Sequence, residues 1–286
     1  MRLPTRVFNP TQAKYYCASF HGSTGLATGS IQTFIDDCES KGVTTLAETN
    51  PIFDEYRDCS LRDAERRLFL AVSNYRRALD LMMVGAAHWT QVTLYYASFF
   101  AASAFMEMFG SYLSRSLVVE VLNHNPGSQE LLLSRRGMRA LKSTCSGPHE
   151  RFWKLFYINA SSLYPWVDQK LRNALLPIDS DEFWQTKTRN TVNYDTYFSV
   201  ELMTRFMNDF DPNTFPGCLQ GELNKQRVAV HGMIELAFAY ATQFGLSTDA
   251  LNALPPTGGR GTKVQRLVLD GVIPNISAKL SWTHVL

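Results

Sequence analysis

A chain of 286 residues that is 45% hydrophobic and 12% aromatic can bury a full core, which excludes a disordered protein and allows one large domain with elaborations. Its 28 basic and 26 acidic residues leave a formal charge of +2, so no global field drives it toward nucleic acid or membrane, and any such role must rest on local patches. Five scattered cysteines, odd in number and without a CxxC pair, argue against a disulfide framework and against a zinc site, and fit a reducing cytoplasm.

The first residues, "MRLPTRVFNPTQAKYY", lack the continuous apolar run of a signal peptide. Residues 1–59 read as an irregular N-terminal extension with one short helix over Ile31–Ser40, stopped at Gly42. Ser60 with Asp63 three positions later has the form of a capping box. The apolar residues Leu61, Ala64, Leu68, Val72, Tyr75, Leu79 and Met82 then recur at helical spacing up to Gly85. Arg62, Arg66, Arg67, Arg76 and Arg77 make the solvated face of that helix, with a phosphate-binding stripe as the alternative. A short link leads to a second helix, Trp89–Phe109, ended by Gly110, and so short a connection makes the two helices antiparallel neighbours. Its stretch Val92–Phe109 has the length of a membrane span, but Thr93, Ser98, Ser103 and Glu107 interrupt it, so it reads as a helix buried on nearly all sides.

Residues Leu117–Leu122 and Glu130–Ser134 flank the turn signal "NHNPGS" and predict a β-hairpin at about 115–135, inserted in a helical protein. Helical spacing returns from Pro148 until Pro165, followed by a shorter helix over Val167–Leu176. "SDEF" at Ser180 marks a further N-cap, whose helix runs into "TRNTVNYDTY" and then "TYFSVELMTRFMNDF". A last helix spans about Glu222–Phe244. Residues 246–286 read as a C-terminal extension with a flexible "LPPTGGRGTK" and a short apolar run over Leu267–Ile273.

Three stretches in this order resemble HEPN-domain proteins, over about residues 60–245. "WTQVTLYYASFFAASAFMEMFG" is similar to their signature second helix, with its tyrosine pair Tyr95 and Tyr96. "SGPHERFWKLF" resembles the opening of their third helix, with His149 near its start. "TRNTVNYDTY" falls where the family's ribonucleases carry an arginine, a polar residue and, after four to six positions, a histidine. The resemblance implies a mainly α, antiparallel four- or five-helix bundle, dimeric or larger, with the arginine motifs of two subunits facing one groove. Active members cut RNA without a metal or other cofactor.

Such cleavage needs a cation beside the scissile phosphate and an imidazole to move a proton. Arg189 and Asn190 match the first half of the pattern; Tyr194, Asp195 and Thr196 stand where the histidine belongs. A phenol that titrates near pH 10 is poorly suited to proton transfer at neutral pH, so the sequence favours binding over cleavage. A replacement imidazole is available from His149, or less readily from His88 or His231. Arg135, Arg136, Arg139, Lys142, Arg151 and Lys154, interleaved with Phe152 and Trp153, form the candidate RNA-binding segment, with a solvated loop beside a core-facing aromatic stripe as the alternative. Tyr95, Tyr96, Asp195 and Tyr197 are placed at the groove, and Asp195 or Thr196 also suits the N-cap of the following helix. No ligand spacing for a metal and no phosphate-cradling glycine loop is present.

Three readings follow. The first is a HEPN-type subunit of a bacterial conflict system, phage defence or toxin-antitoxin, that binds RNA, a nucleotide or a protein partner encoded nearby through its groove, away from any membrane. The second is a metal-independent endoribonuclease in which Arg189 works with His149 or Tyr194. The third is a structural assembly subunit that docks through the hairpin.

Overall fold

The computed structural model describes residues 8–18, 20, 31–122, 127–160, 173, 177–178, 180–209 and 221–246. The expected helix over 167–176, the "NHNPGS" turn up to Pro126 and nearly all of the C-terminal extension lie outside them. The described chain is mainly helical with one small antiparallel sheet.

The longest helix, α3 (Pro51–Met83), starts nine residues before the expected capping box. Asn50 caps it, its side-chain oxygen accepting from the Ile52 N–H at 3.0 Å, and Pro51 occupies the first turn, where its missing N–H costs nothing. Ser60 is therefore no cap: it is buried in mid-helix, its hydroxyl 3.5 Å from the Glu107 carbonyl. Replacing Asn50 with alanine should lower stability by about 1 kcal/mol in urea denaturation, and an unchanged midpoint would show that proline alone starts the helix.

Gly85, at φ +77°, turns the chain into α4 (Ala87–Met108), which packs antiparallel along α3. This is the apolar helix suspected of membrane length, and no helix among the described residues is long and apolar enough to cross a membrane. It is buried along most of its surface because α3, α7 (Trp184–Tyr194), α8 (Thr196–Asp209) and α9 (Gly221–Gln243) all lie against it, and only Trp89 is exposed. Its small residues Ala97, Ser98, Ala101, Ala102 and Ala104 let these neighbours come close. Buried amides tie the layers together: Gln226 donates to the Gln91 carbonyl at 3.0 Å and Gln185 to the Ser98 hydroxyl at 3.2 Å.

The described part of the N-terminal extension is largely helical. α1 (Pro10–Ala18) is capped by Asn9, which accepts from Thr11 N–H at 3.0 Å, and α2 (Ile31–Ser40) matches the expected bounds. Both contribute to the common core: Phe8 stacks on Phe109 at 4.5 Å, and Tyr16, Ile31 and Ile35 are buried.

The hairpin exists, but not as an insertion. β3 (Val118–Leu122) and β4 (Glu130–Ser134) pair from Val118 opposite Ser134 to Leu122 opposite Glu130. They form the middle of a four-stranded sheet in the order β1-β4-β3-β2, with β1 (Thr45–Ala47) supplied by the N-terminal extension and β2 (Ser111–Leu113) following α4. β1 and β2 pair along the two hairpin strands and are themselves the outer strands of the sheet.

Candidate functional site

Ser134 ends β4 and caps α5 (Arg135–Lys142), its hydroxyl accepting from Gly137 N–H at 2.9 Å. This helix is not among the elements expected above. It buries Met138 and Leu141 and presents Arg135, Arg136, Arg139 and Lys142 to solvent. Arg135 pairs with Glu39 at 3.1 Å, whereas Arg136, Arg139 and Lys142 take no carboxylate among the described residues. The rest of the candidate RNA-binding segment is divided. Lys154 is paired with Glu182 at 2.6 Å, Arg151 is half-buried, and Phe152 and Trp153 are core residues that cannot stack bases.

α6 (Pro148–Ala160) carries the more informative group. His149 and Trp153 are one turn apart, hence on one face of the helix, and both reach the phenol of Tyr95 on α4. The His149 Nδ1 lies 2.6 Å from Tyr95 Oη, and Trp153 Nε1–H donates to the same oxygen at 3.3 Å. Arg189 of α7 lies over the Tyr95 ring, its guanidinium carbon 5.5 Å from the centroid. The neighbouring Asn190 accepts from Arg189 Nη1 at 3.3 Å, while Arg189 Nε is buried without a partner. Three segments far apart in sequence thus converge on one phenol, and Arg189 meets no carboxylate among the described residues.

Tyr194 and Asp195, which stand where the motif's histidine belongs, do not join this cluster. Tyr194 is 78% exposed and Tyr197 80% exposed, and no contact joins either to Arg189. Asp195 is exposed and caps α8, accepting from Phe198 N–H at 2.9 Å. The imidazole that reaches Tyr95 is that of His149. Tyr96 packs edge-on against Tyr95 at 5.4 Å, so it supports the site from the side. His231 pairs with Glu235 at 3.2 Å and His88 packs on Trp89, which leaves both outside the cluster. Ser180 is likewise not the cap of α7; its hydroxyl donates to the Pro177 carbonyl and Asp181 accepts from Phe183 N–H.

The electrostatics are those of a neutral relay beside a fixed cation. Burial lowers the His149 pKa below its ordinary value and the Arg189 charge lowers it further, so the ring is neutral at pH 7. Burial pushes the Tyr95 phenol up to about 12, against the opposing pull of the Trp153 N–H and Arg189. Trp153 can only donate, so the phenol oxygen accepts from it, and His149 Nδ1 meets the same oxygen as acceptor or donor according to the tautomer of the neutral ring.

A second buried group was missed altogether. Arg67, read as part of a solvated face, has a side chain only 21% exposed, and its Nε lies 2.9 Å from Oε1 of Glu107, whose side chain is 2% exposed. Arg67 also covers the Tyr112 ring at 5.7 Å. A lone glutamate in an otherwise apolar helix was the only available signal. Compared with family models, with curated proteins and with solved structures, the chain gives no match.

Proposed function

We propose that this chain is a HEPN-like subunit of a bacterial conflict system that binds RNA through Arg189 and the Tyr95–His149 pair, as one half of a groove shared by two copies. The observation that carries the reading is the half-buried guanidinium of Arg189, held over Tyr95 by Asn190 and left without a carboxylate. A buried cation lacking a counter-ion favours an anion, and a phosphate oxygen also accepts from the neighbouring imidazole N–H. The three uncompensated cations of α5 add a surface along which a phosphate backbone can run. The bacterial conflict setting rests on the resemblance alone.

One observation favours the endoribonuclease as a second reading. His149 and Arg189 both approach Tyr95, and in the tautomer whose Nδ1–H donates to the phenol oxygen, Nε2 is free to accept a proton from a ribose hydroxyl. Incubation of the protein with single-stranded RNA in EDTA separates the two. Retention of intact RNA in a filter-binding assay, with affinity falling about 10- to 100-fold in Arg189→Ala, is the expected result. Metal-free cleavage abolished by both Arg189→Ala and His149→Ala would replace binding by catalysis, and RNA affinity unchanged in Arg189→Ala would remove both readings.

A further inference from the structure

Beside the Tyr95 cluster, where α3 and the end of α4 meet β2 and the start of α6, lies a cavity of about 280 Å³. Its walls are mainly aromatic, with the rings of Phe99, Tyr112 and Phe152 around it. Phe99 and Phe152 stand with ring centroids 4.5 Å apart, and the Arg67 guanidinium covers the Tyr112 ring at 5.7 Å. Exposed Pro148 and half-buried Leu113 also line the cavity, so it meets the surface there.

Two ionisable side chains belong to this wall, and they differ in access. The Arg67 side chain is 21% exposed, whereas that of Glu107 is 2% exposed and both of its carboxylate oxygens are buried. A ligand in the cavity therefore meets the guanidinium and not the carboxyl group. Nor does Glu107 cancel the Arg67 charge at neutral pH, because burial raises its pKa to about 8, against the opposing pull of Arg67, and it keeps its proton there. Asp63, the other carboxylate close to Arg67, pairs with Arg66 at 3.1 Å. Tyr112 and His149 are neutral at that pH, since burial pushes the phenol up to about 12 and lowers the imidazole pKa below its ordinary value. Arg67 is thus a reachable cation at the edge of an aromatic cavity.

Charge, shape and size define the ligand. A single guanidinium compensates a single negative charge, and a dianion would leave its second charge desolvated among the rings with Asp63 close by. The planar fork of the guanidinium matches the two oxygens of a carboxylate. The surrounding rings favour a flat aromatic body, and a cavity at the lower end of ligand-site volumes limits that body to about one or two rings. We infer that this cavity binds a small aromatic carboxylate, whose oxygens accept from Arg67 while its ring lies among Phe99, Tyr112 and Phe152. The site uses neither Arg189 nor the Tyr95 phenol, so it stands independently of the RNA reading and shares with it only His149, which lines the cavity from α6.

Isothermal titration calorimetry at pH 6.5 tests the site with benzoate, neutral benzamide and dianionic phenyl phosphate. Benzoate should bind the wild-type protein about tenfold more tightly than either of the others. Arg67→Met should lose about tenfold for benzoate and leave benzamide unchanged, and the benzamide titration reports whether the variant keeps its cavity. Benzoate affinity unchanged in an Arg67→Met protein that still binds benzamide places the carboxylate elsewhere and overturns the inference. Tighter binding of phenyl phosphate than of benzoate overturns it too, by assigning the cavity to a phosphate. Failure of benzoate to bind the wild-type protein, or equal binding of benzoate and benzamide, overturns it without reliance on any variant.

Discussion

Replacement of Gly110 by alanine is expected to destabilise the protein by about 2–4 kcal/mol, a large share of the stability of an ordinary domain. Two costs combine. Gly110 has φ +68°, where a side chain is disfavoured by about 1–2 kcal/mol. A β-carbon there would also lie 2.5 Å from Val121 Cγ2 and 2.8 Å from Val121 Cβ, and neither atom is the end of a flexible side chain. Relief cannot come from moving the backbone, because Gly110 N–H donates to the Glu107 carbonyl at 2.9 Å and its own carbonyl accepts from Val121 N–H at 3.0 Å. Gly42 is the internal control: its φ is +69° and nothing lies within 4 Å of the added carbon, so Gly42→Ala should show the conformational cost alone. Urea denaturation of both variants measures the difference. Equal losses would mean that the α4–β2 corner yields to the clash.

That corner also shows what the sequence could and could not reveal. The helix end at Gly110 was legible because glycine after a long apolar run is a local signal, and the same is true of the Ile31–Ser40 helix, the two hairpin strands and the start of α6 at Pro148. Errors arose where two local signals competed. Ser60 and Asp63 have the form of a cap, yet Asn50 followed by Pro51 starts the helix earlier, and the apolar spacing on either side of Ser60 is the same. Non-local pairing was invisible: the three residues of β1 make a strand only because β4 offers them an edge, and "RRGMRALK" makes a helix only because Met138 and Leu141 find a core. The site followed the same division. Arg189 and His149 were visible as residue types in suggestive places, but their meeting at Tyr95 depends on the packing of α6 and α7 against α4. Arg67 and Glu107 lie forty residues apart on two antiparallel helices, and no periodicity marks them as partners.

Glu107 carries the second large effect, a pH dependence of stability that Glu107→Gln removes. Burial is the main cause that raises its pKa from 4.5 to about 8; Arg67 opposes the rise and Asp63 adds to it. The native state therefore keeps the proton after the unfolded chain has released it. The stability linked to this group is fully present below about pH 4.5, declines as pH rises, and is lost above about pH 8. At about 1.36 kcal/mol per pH unit the loss is on the order of a few kcal/mol. Glu65, buried on α3 with its pKa raised to about 7, slopes the same way and remains in the variant. Urea midpoints of the wild type and Glu107→Gln should consequently diverge between pH 5 and pH 8.5, the variant gaining relative stability with each step upward; parallel curves would place Glu107 in contact with water.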